Sequence, residues 1–463
     1  MTTQLNRRRF LKAASLAGMG SWVGGRRALA ETRSPSEKLN IACIGAGNRG
    51  AANLRAVGDE NIVALCDVDE RMARRAREAF PRARFYADFR KLFDEMHQGM
   101  DAVVVSTPDH THAPATVAAL QLGKHVYCEK PLAHNVYECR LVTDLARKKK
   151  VITQLGTQLH ASFQVHRAAE LIQAGVIGKV REVHCASERL RPSDMVFPQA
   201  WDSAITKESG RPWETPPVPP WLEWDLWLGP ARERPFHPAY CPAGWRMWRD
   251  FGTGGIGDMG CHIMDPVFLA LGLKHPVSVE AAGPPVPYER LPMRSELAVR
   301  YVFPARGEQP PVTLYWHRAG SGPPADLLEG KAGTCLFVGE KGQLLCHHHP
   351  PRRNDEPLLL PTARFRDVEL PDSRFAHLRA SDISPASIEK PHHDDWLNGC
   401  KTGSIPACHF PTFGGPLAET VLLGHVAFWA GRKLDWDGEK MRAPNGPEAE
   451  KYLRREYRKG WKL

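Results

Sequence analysis

Between residues 39 and 154 the chain alternates short apolar runs with helical patterns, and this alternation constrains its fold more than any other feature. Residues 39–44, 62–66, 102–106, 124–127 and 151–154 read as strands; 51–57, 70–80, 116–122 and 135–149 read as helices. Successive strands joined through helices run parallel, because each crossover returns the chain to the same end of the sheet. A parallel sheet with helices on both faces follows. Gly45-Ala46-Gly47-Asn48-Arg49-Gly50 lies between the first strand and the first helix. Glycines there let the backbone turn tightly and approach a pyrophosphate, while the helix N-terminus supplies N–H donors. Asp67 ends the second strand, 22 residues after Gly45. A carboxylate at this place accepts hydrogen bonds from ribose hydroxyls and repels a 2′-phosphate, so NAD is favoured over NADP. Arg49, beside the phosphates, is expected to add charge.

Beyond residue 156 the pattern changes. A helix over 164–174 leads to a strand over 180–187, and a Pro- and Trp-rich stretch runs from Arg191 to Phe251. A helix over 258–271 precedes strands at 277–282, 296–303, 311–317, 334–337 and 343–346, the last two paired across Gly339-Glu340-Lys341-Gly342. Several strands with hairpin signals point to a mostly antiparallel sheet. Residues 350–384 show little periodicity and read as loop; helices at 388–400 and 416–430 follow. A chain of 463 residues is expected to form two domains. The first would be a dinucleotide-binding domain over 36–155 and the second a substrate domain over 156–463.

Lys130 lies in Cys128-Glu129-Lys130-Pro131, just after the 124–127 strand. At the carboxyl end of such a strand a lysine points into the cofactor crevice. In that half-dry setting an ammonium holds a substrate oxygen while negative charge develops on it, and Pro131 restricts the backbone behind it. Ser106-Thr107-Pro108 ends another strand and is expected to flank the nicotinamide ribose. His110 and His112, just beyond, lack a third metal ligand and read as one packing and one surface histidine; no metal site is expected. Asp258 and His262 are four apart and share a helix face. A carboxylate beside an imidazole orients it and raises its basicity, which suits a general base near neutral pH. The preceding Phe251-Gly252-Thr253-Gly254-Gly255 reads as a flexible approach for substrate. His262 would then take a hydroxyl proton while hydride leaves that carbon for the nicotinamide and Lys130 steadies the oxygen. Tryptophan faces stack on sugar C–H faces. Trp245, Arg246 and Trp248 are therefore expected to touch substrate, with His160 facing the same pocket, whereas Trp224 and Trp227 read as packing. His347-His348-His349 reads as surface and His392-His393-Asp394-Asp395 as the polar side of a helix.

Gly45-x-Gly47-x-x-Gly50, Asp67, Glu129-Lys130-Pro131 and Asp258-x-x-x-His262 together resemble the glucose–fructose oxidoreductase/inositol dehydrogenase/MocA (Gfo/Idh/MocA) family. The likeness covers nearly all of residues 31–463. It extends to Gly156-Thr157-Gln158, Ile177-Gly178-Lys179-Val180, Trp224-x-x-Trp227-x-Gly229-Pro230 and Phe337-x-Gly339-x-x-Gly342, the last three resembling an exported bacterial subgroup. The resemblance implies a Rossmann domain followed by a C-terminal α/β domain whose open, mostly antiparallel sheet commonly forms homodimers or homotetramers. It implies NAD(P) dependence and a sugar or cyclitol substrate. It makes Lys130, Asp258 and His262 catalytic and places Glu129 near the nicotinamide ribose. The expected cofactor contacts are then Gly45, Gly47, Asn48, Arg49, Gly50, Asp67, Thr107, Pro108, His112, Glu129 and Lys130.

The formal charge is +10, but six of those charges belong to Arg7, Arg8, Arg9, Lys12, Arg26 and Arg27, with no acid among residues 1–30. No basic run with interleaved aromatics supports nucleic acid as a partner. Residues 1–30 read instead as an export signal. Asn6-Arg7-Arg8-Arg9-Phe10-Leu11-Lys12 precedes a short apolar stretch over 13–23, and Ala28-Leu29-Ala30 is a small-x-small cleavage site. The stretch is too short to span a bilayer. The pattern resembles a twin-arginine signal, with Asn6 where Ser or Thr is usual, so folding before export and a periplasmic location are expected. Eleven cysteines without CxxC pairs predict no disulfide framework. The expected protein is an exported NAD(H)-dependent oxidoreductase acting on a hydroxyl or keto group of a sugar or glycoside, with tightly bound, recycled cofactor. The alternatives are a redox-assisted glycoside hydrolase or lyase and a non-catalytic sugar-binding or sensing protein.

Overall fold

The computed structural model describes residues 37–186, 212, 214–242, 244–285, 297–318, 321–347, 355–379 and 386–463. The export signal expected over 1–30 and most of the Trp-rich stretch before Trp213 lie outside them. Six strands form the first sheet: β1 (Asn40–Ile44), β2 (Asn61–Cys66), β3 (Arg84–Tyr86), β4 (Ala102–Val105), β5 (His125–Glu129) and β6 (Thr153–Gly156). Their order is β3-β2-β1-β4-β5-β6, and every neighbouring pair is parallel. β4 is buried along its whole length and β1 except at its first residue, which is why both read as continuous apolar runs. The connecting helices are α1 (Asn48–Val57), α2 (Glu70–Ala79), α3 (Phe89–Met96), α4 (Asp109–Gln121) and α5 (Val136–Lys149). Asp69, Asp88 and Asn135 cap α2, α3 and α5 by accepting first-turn N–H groups.

Strand order reverses between β1 and β4, and a crevice opens there beyond the carboxyl ends of the strands. β3 escaped the sequence reading because a three-residue strand carries too little period to register, and the eight-residue α3 that follows it was missed as well. α4 begins at Asp109, seven residues before the expected start. Its first turns contain two histidines and Pro114, a poor helical signature, yet Asp109, His110, Thr111 and His112 are all buried by tertiary contacts.

The second sheet contains β7 (Val180–Cys185), β8 (Ser278–Ala282), β9 (Ala298–Phe303), β10 (Val312–Trp316), β11 (Cys335–Gly339), β12 (Gly342–Cys346), β13 (Leu358–Leu360) and β14 (Leu434–Asp435). Its order is β13-β12-β11-β7-β10-β9-β8-β14, antiparallel except where β7 and β10 run parallel. With it go α6 (Phe163–Gln173), α7 (Trp224–Leu228), α8 (Gly254–Ile263), α9 (Asp265–Leu271), α10 (Thr362–Phe365), α11 (Ala386–Thr402) and α12 (Gly415–Ala430). The single helix expected over 258–271 is broken at Met264, because Pro266 has no N–H to continue the ladder. Gly254 and Gly255 are the buried first turn of α8 rather than part of a flexible loop. The expected loop 350–384 contains β13, a three-leucine edge strand on β12, and the short α10.

The chain from Leu39 onward forms one compact unit, since C-terminal helices pack back on the first sheet. His393 of α11 stacks on Tyr127 of β5 at 4.3 Å, and Trp396 meets the same ring edge-on at 5.6 Å. His392 and His393 are therefore buried rather than on the polar side of a helix. His347 is likewise buried, whereas His348 and His349 lie outside the described residues. All eleven cysteines are free. Among the described residues no helix is long and apolar enough to cross a membrane. Arg140 of α5 grips Glu419 of α12 in a bidentate pair at 2.9 and 2.7 Å, and the Glu419 side chain is only 3% exposed. Glu419→Ala strands the Arg140 charge and is expected to cost about 3 kcal/mol in urea-induced unfolding.

Candidate active site

The glycine loop is shaped by close backbone contacts. Gly45 has φ +85, and a side chain there would meet the Ser106 carbonyl at 2.7 Å. A Cβ on Gly50 would lie 2.0 Å from the Gly45 oxygen, so only glycine permits this turn. Gly47 caps α1 without a side-chain hydrogen bond, and Asn48 follows in the left-handed region at φ 44. The first-turn N–H groups of α1 are thus available to an anion.

Asp67 reaches this loop directly. Its Oδ2 accepts from the Ala46 and Gly47 N–H groups at 2.8 and 3.3 Å, and its Oδ1 accepts from Asp69 N–H at 3.0 Å. Burial pushes its pKa up, against the pull of these amides. The expected ribose ligand is therefore also the clamp of the phosphate loop, a role that spacing alone does not reveal.

A cavity of about 500 Å3 lies beyond the ends of β1, β2, β4 and β5, within the usual range for ligand pockets. Gly45, Gly47, Asn48, Arg49, Asp67, Thr107, Pro108, His112, Glu129 and Lys130 border it, with Trp227, Trp245 and Arg246 from the second half of the chain. Gly50 supports the loop from behind. The Thr107 hydroxyl is buried at this wall with no partner among the described residues. An open helix N-terminus, an orphan hydroxyl and a carboxylate at one cavity fit a dinucleotide.

Two expected contacts are tied up elsewhere. Arg49 pairs with Glu389 at 2.8 Å and Glu129 at 3.2 Å, so its charge is committed to carboxylates rather than to phosphates. His112 is buried, although one of His110 and His112 was expected at the surface; its ring nitrogens lie 2.7 Å from the Pro131 carbonyl and 2.8 Å from that of Thr107. Burial opposes its charge, but Cys128 and Asp109 outweigh burial and push its pKa up to about 10. The resulting imidazolium staples the β4 and β5 loops together. His110 is also buried, between the carbonyls of Phe251 and Trp227.

Glu129 is the hub of a buried network that sequence reasoning missed. It accepts from Asn53 Nδ2 at 3.0 Å and Gln158 Nε2 at 2.7 Å, and Gln158 also donates to the Tyr127 hydroxyl. Burial raises its pKa, but Arg49 and Lys130 prevail and hold it below the usual carboxylate range. The only prior sign was Gly156-Thr157-Gln158.

Lys130 Nζ donates to both the carbonyl and Oδ1 of Asp258, each at 2.7 Å. Both side chains are 9% exposed. Arg246 Nε donates to the same Oδ1 at 3.1 Å, and its guanidinium lies 4.3 Å from the Trp245 ring centre. Burial, with the Arg246 charge second, brings the Lys130 pKa down to about 8. His262 is buried one turn beyond Asp258 on α8. Lys130, Trp245 and Arg246 border the cavity, and Asp258 joins Lys130 and Arg246 behind its wall; neither Asp258 nor His262 lines the cavity itself. Trp248 does not border the cavity: it is 2% exposed, packs on Tyr240 and donates to the Ala239 carbonyl. His160 also turns away, pairing with Asp265 at 2.8 Å. Burial disfavours its charge, but Asp265 holds the imidazolium well above the usual histidine range. With Cys408 these residues bring three potential metal ligands within 4.8 Å of one another. Trp227, expected only to pack, both stacks on Trp224 and borders the cavity.

Residues 39–157 match the profile of an oxidoreductase family with an NAD-binding Rossmann fold, and residues 199–302 match the family's C-terminal alpha/beta domain. The chain belongs to the Gfo/Idh/MocA oxidoreductase family. Inositol 2-dehydrogenase 1 of Saccharopolyspora erythraea is 32% identical over 167 residues, 35% of this chain and 49% of its own length. Myo-inositol 2-dehydrogenase of Thermotoga maritima is 29% identical over 162 residues, 34% and 48% respectively. The chain thus spans about half the length of the curated relatives it matches. Levoglucosan dehydrogenase, solved with NADH and levoglucosan, has a similar fold with TM-score 0.57 at 17% identity, covering 86% of this chain and 99% of that one. The WlbA dehydrogenase of Bordetella pertussis, solved with NADH and UDP-GlcNAcA, gives 0.57 at 15%, covering 86% and 98%. These structures share the family's arrangement of a Rossmann domain and a mostly antiparallel α/β domain.

Because Arg246 disfavours the nearby ammonium, Arg246→Leu is expected to raise the Lys130 pKa. Lys130 then stays protonated to higher pH, and the pH midpoint of its acylation, followed by mass spectrometry, moves upward. An unchanged or lower midpoint would contradict this electrostatic coupling.

Proposed function

We propose that the protein is an NAD(H)-dependent oxidoreductase acting on a hydroxyl or keto group of a sugar or glycoside. The observation that carries this reading is the Lys130–Asp258 contact at one end of the crevice, opposite the Asp67 end of the same cavity. NAD, when bound, supplies the hydride acceptor. The α1 N-terminus would hold the pyrophosphate, and Asp67 would select an unphosphorylated ribose. Trp245 and Arg246 hold the sugar. In the oxidative direction His262 takes the hydroxyl proton, the substrate carbon loses hydride, and Lys130 as an ammonium steadies the oxygen; reduction reverses these transfers.

Export is part of this proposal. Arg7-Arg8-Arg9 and the small-x-small site at Ala28–Ala30 support the twin-arginine route and a periplasmic enzyme. Free dinucleotide is scarce there, so the cofactor is held tightly and recycled by a second half-reaction. Homo-oligomerisation, as a dimer or tetramer, belongs to the same reading.

Denaturing the purified protein and identifying the released nucleotide by mass tests cofactor retention directly. Near-stoichiometric NAD or NADH is expected; empty protein that also fails to take up NADH would sink the proposal. Lys130→Met is expected to lower kcat by about 10²–10³-fold on any sugar turned over. The activity of the parent should fall as pH rises through about 8, where the ammonium loses its proton.

A further inference from the structure

The C-terminal residues lie against the end of the cavity away from Lys130. Past β14 the chain returns to the first sheet and is anchored there at several points. The Leu453 carbonyl accepts from Tyr137 N–H at 2.9 Å. Arg455 pairs with Glu138 of α5 at 3.0 Å, with side chains 16% and 1% exposed. Arg458 pairs with Asp225 and donates to the Gly229 carbonyl at 2.7 Å. These anchors bring Trp461 to the cavity wall beside Asp69, Asp88 and Phe89. Its ring centre is 5.8 Å from that of Phe89, and the Arg90 guanidinium lies 4.3 Å from it. A second segment braces the same end: the Trp221 carbonyl accepts from Glu70 N–H at 3.1 Å, and Glu223 N–H donates to the Val68 carbonyl at 2.9 Å.

We propose that Trp461 is a nucleotide-contacting residue and that residues 453–463 form a strap governing how fast bound dinucleotide leaves. This rests on the proposed function above. Lys130 marks the nicotinamide end of the crevice and Asp67 the ribose of the adenosine half, so Trp461 borders the adenosine half. An indole face there stacks on a purine without demanding a particular hydrogen-bond pattern. The strap is held by the Arg455–Glu138 pair on α5, so its ring is placed before any ligand arrives. Most of the gain from such placement appears as slower dissociation, which is the property a cofactor-retaining enzyme needs.

The test uses the full chain loaded with NADH, diluted into excess NAD, with the loss of bound NADH fluorescence followed in time. Trp461→Ala is expected to release NADH about tenfold faster, with Trp461→Phe intermediate. Arg458→Ala, which loosens the strap without touching the cavity wall, is expected to accelerate release to a smaller extent. Thermal midpoints close to the parent show that the fold is kept. Should Trp461→Ala fail to fold, the other two variants decide, and parental release rates in both overturn the strap. A parent that binds NADH and a folded Trp461→Ala that releases it at the same rate overturn the strap alone. A parent that never binds NADH overturns the proposed function and the strap with it.

Discussion

The Lys130 ammonium, held by the carboxylate and carbonyl of Asp258, is the contact on which the rest of the site depends. Lys130 follows the last strand-end residue of β5, and Asp258 belongs to α8, so this contact ties the two sheet assemblies together at the crevice. A buried ammonium without partners would lose its proton or pull the elements apart. Shared between two oxygens of one residue, it stays, yet burial and Arg246 bring its pKa to about 8. Lys130 and Arg246 share this one carboxylate, so positive charge is left at this end of the cavity. The geometry that joins the layers therefore also concentrates charge where chemistry is proposed.

Around this contact several charged and amide side chains of the crevice hold one another in place, while the Thr107 hydroxyl and the α1 N-terminus stay open. Arg49, Asn53 and Gln158 converge on Glu129, Asp67 holds the glycine loop, and His112 spans the β4 and β5 loops. Each hydrogen bond lies in a place that water reaches poorly, where satisfied networks rigidify and partly satisfied ones are costly. The site is thus organised before any ligand enters. The proposed hydride transfer would tolerate little misplacement of donor and acceptor, which this rigidity would limit.

Much of the first sheet was legible in the sequence because parallel strands buried on both faces are continuous apolar runs and glycine loops have few structural meanings. β3 was not, since three residues at a sheet edge carry almost no periodicity, and the eight-residue α3 was missed with it. The residues that face the crevice were partly legible. Lys130 follows from its place at a strand end, and Trp245 and Arg246 from their place just before the glycine-rich segment; all three border the cavity. Trp248 and His160 were misplaced because a residue's neighbours along the chain do not say which way its side chain turns. Trp248 points into an aromatic cluster, and His160 finds Asp265, 105 residues away.

Sequence alone determined the type of sheet, the loop that approaches a pyrophosphate and the residue types available for proton and hydride chemistry. These depend on local period, backbone freedom and side-chain chemistry, all written in short stretches of chain. Tertiary structure alone decided which charges remain available. Arg49 is consumed by Glu129 and Glu389, and both His110 and His112 are buried, His112 bridging the Pro131 and Thr107 carbonyls. Trp461 reaches the cavity wall beside Phe89 from the far end of the chain. Some of these partners are hundreds of residues away, as Glu389 is from Arg49, and the energy of a buried charge or ring is set by its partners rather than by its own identity.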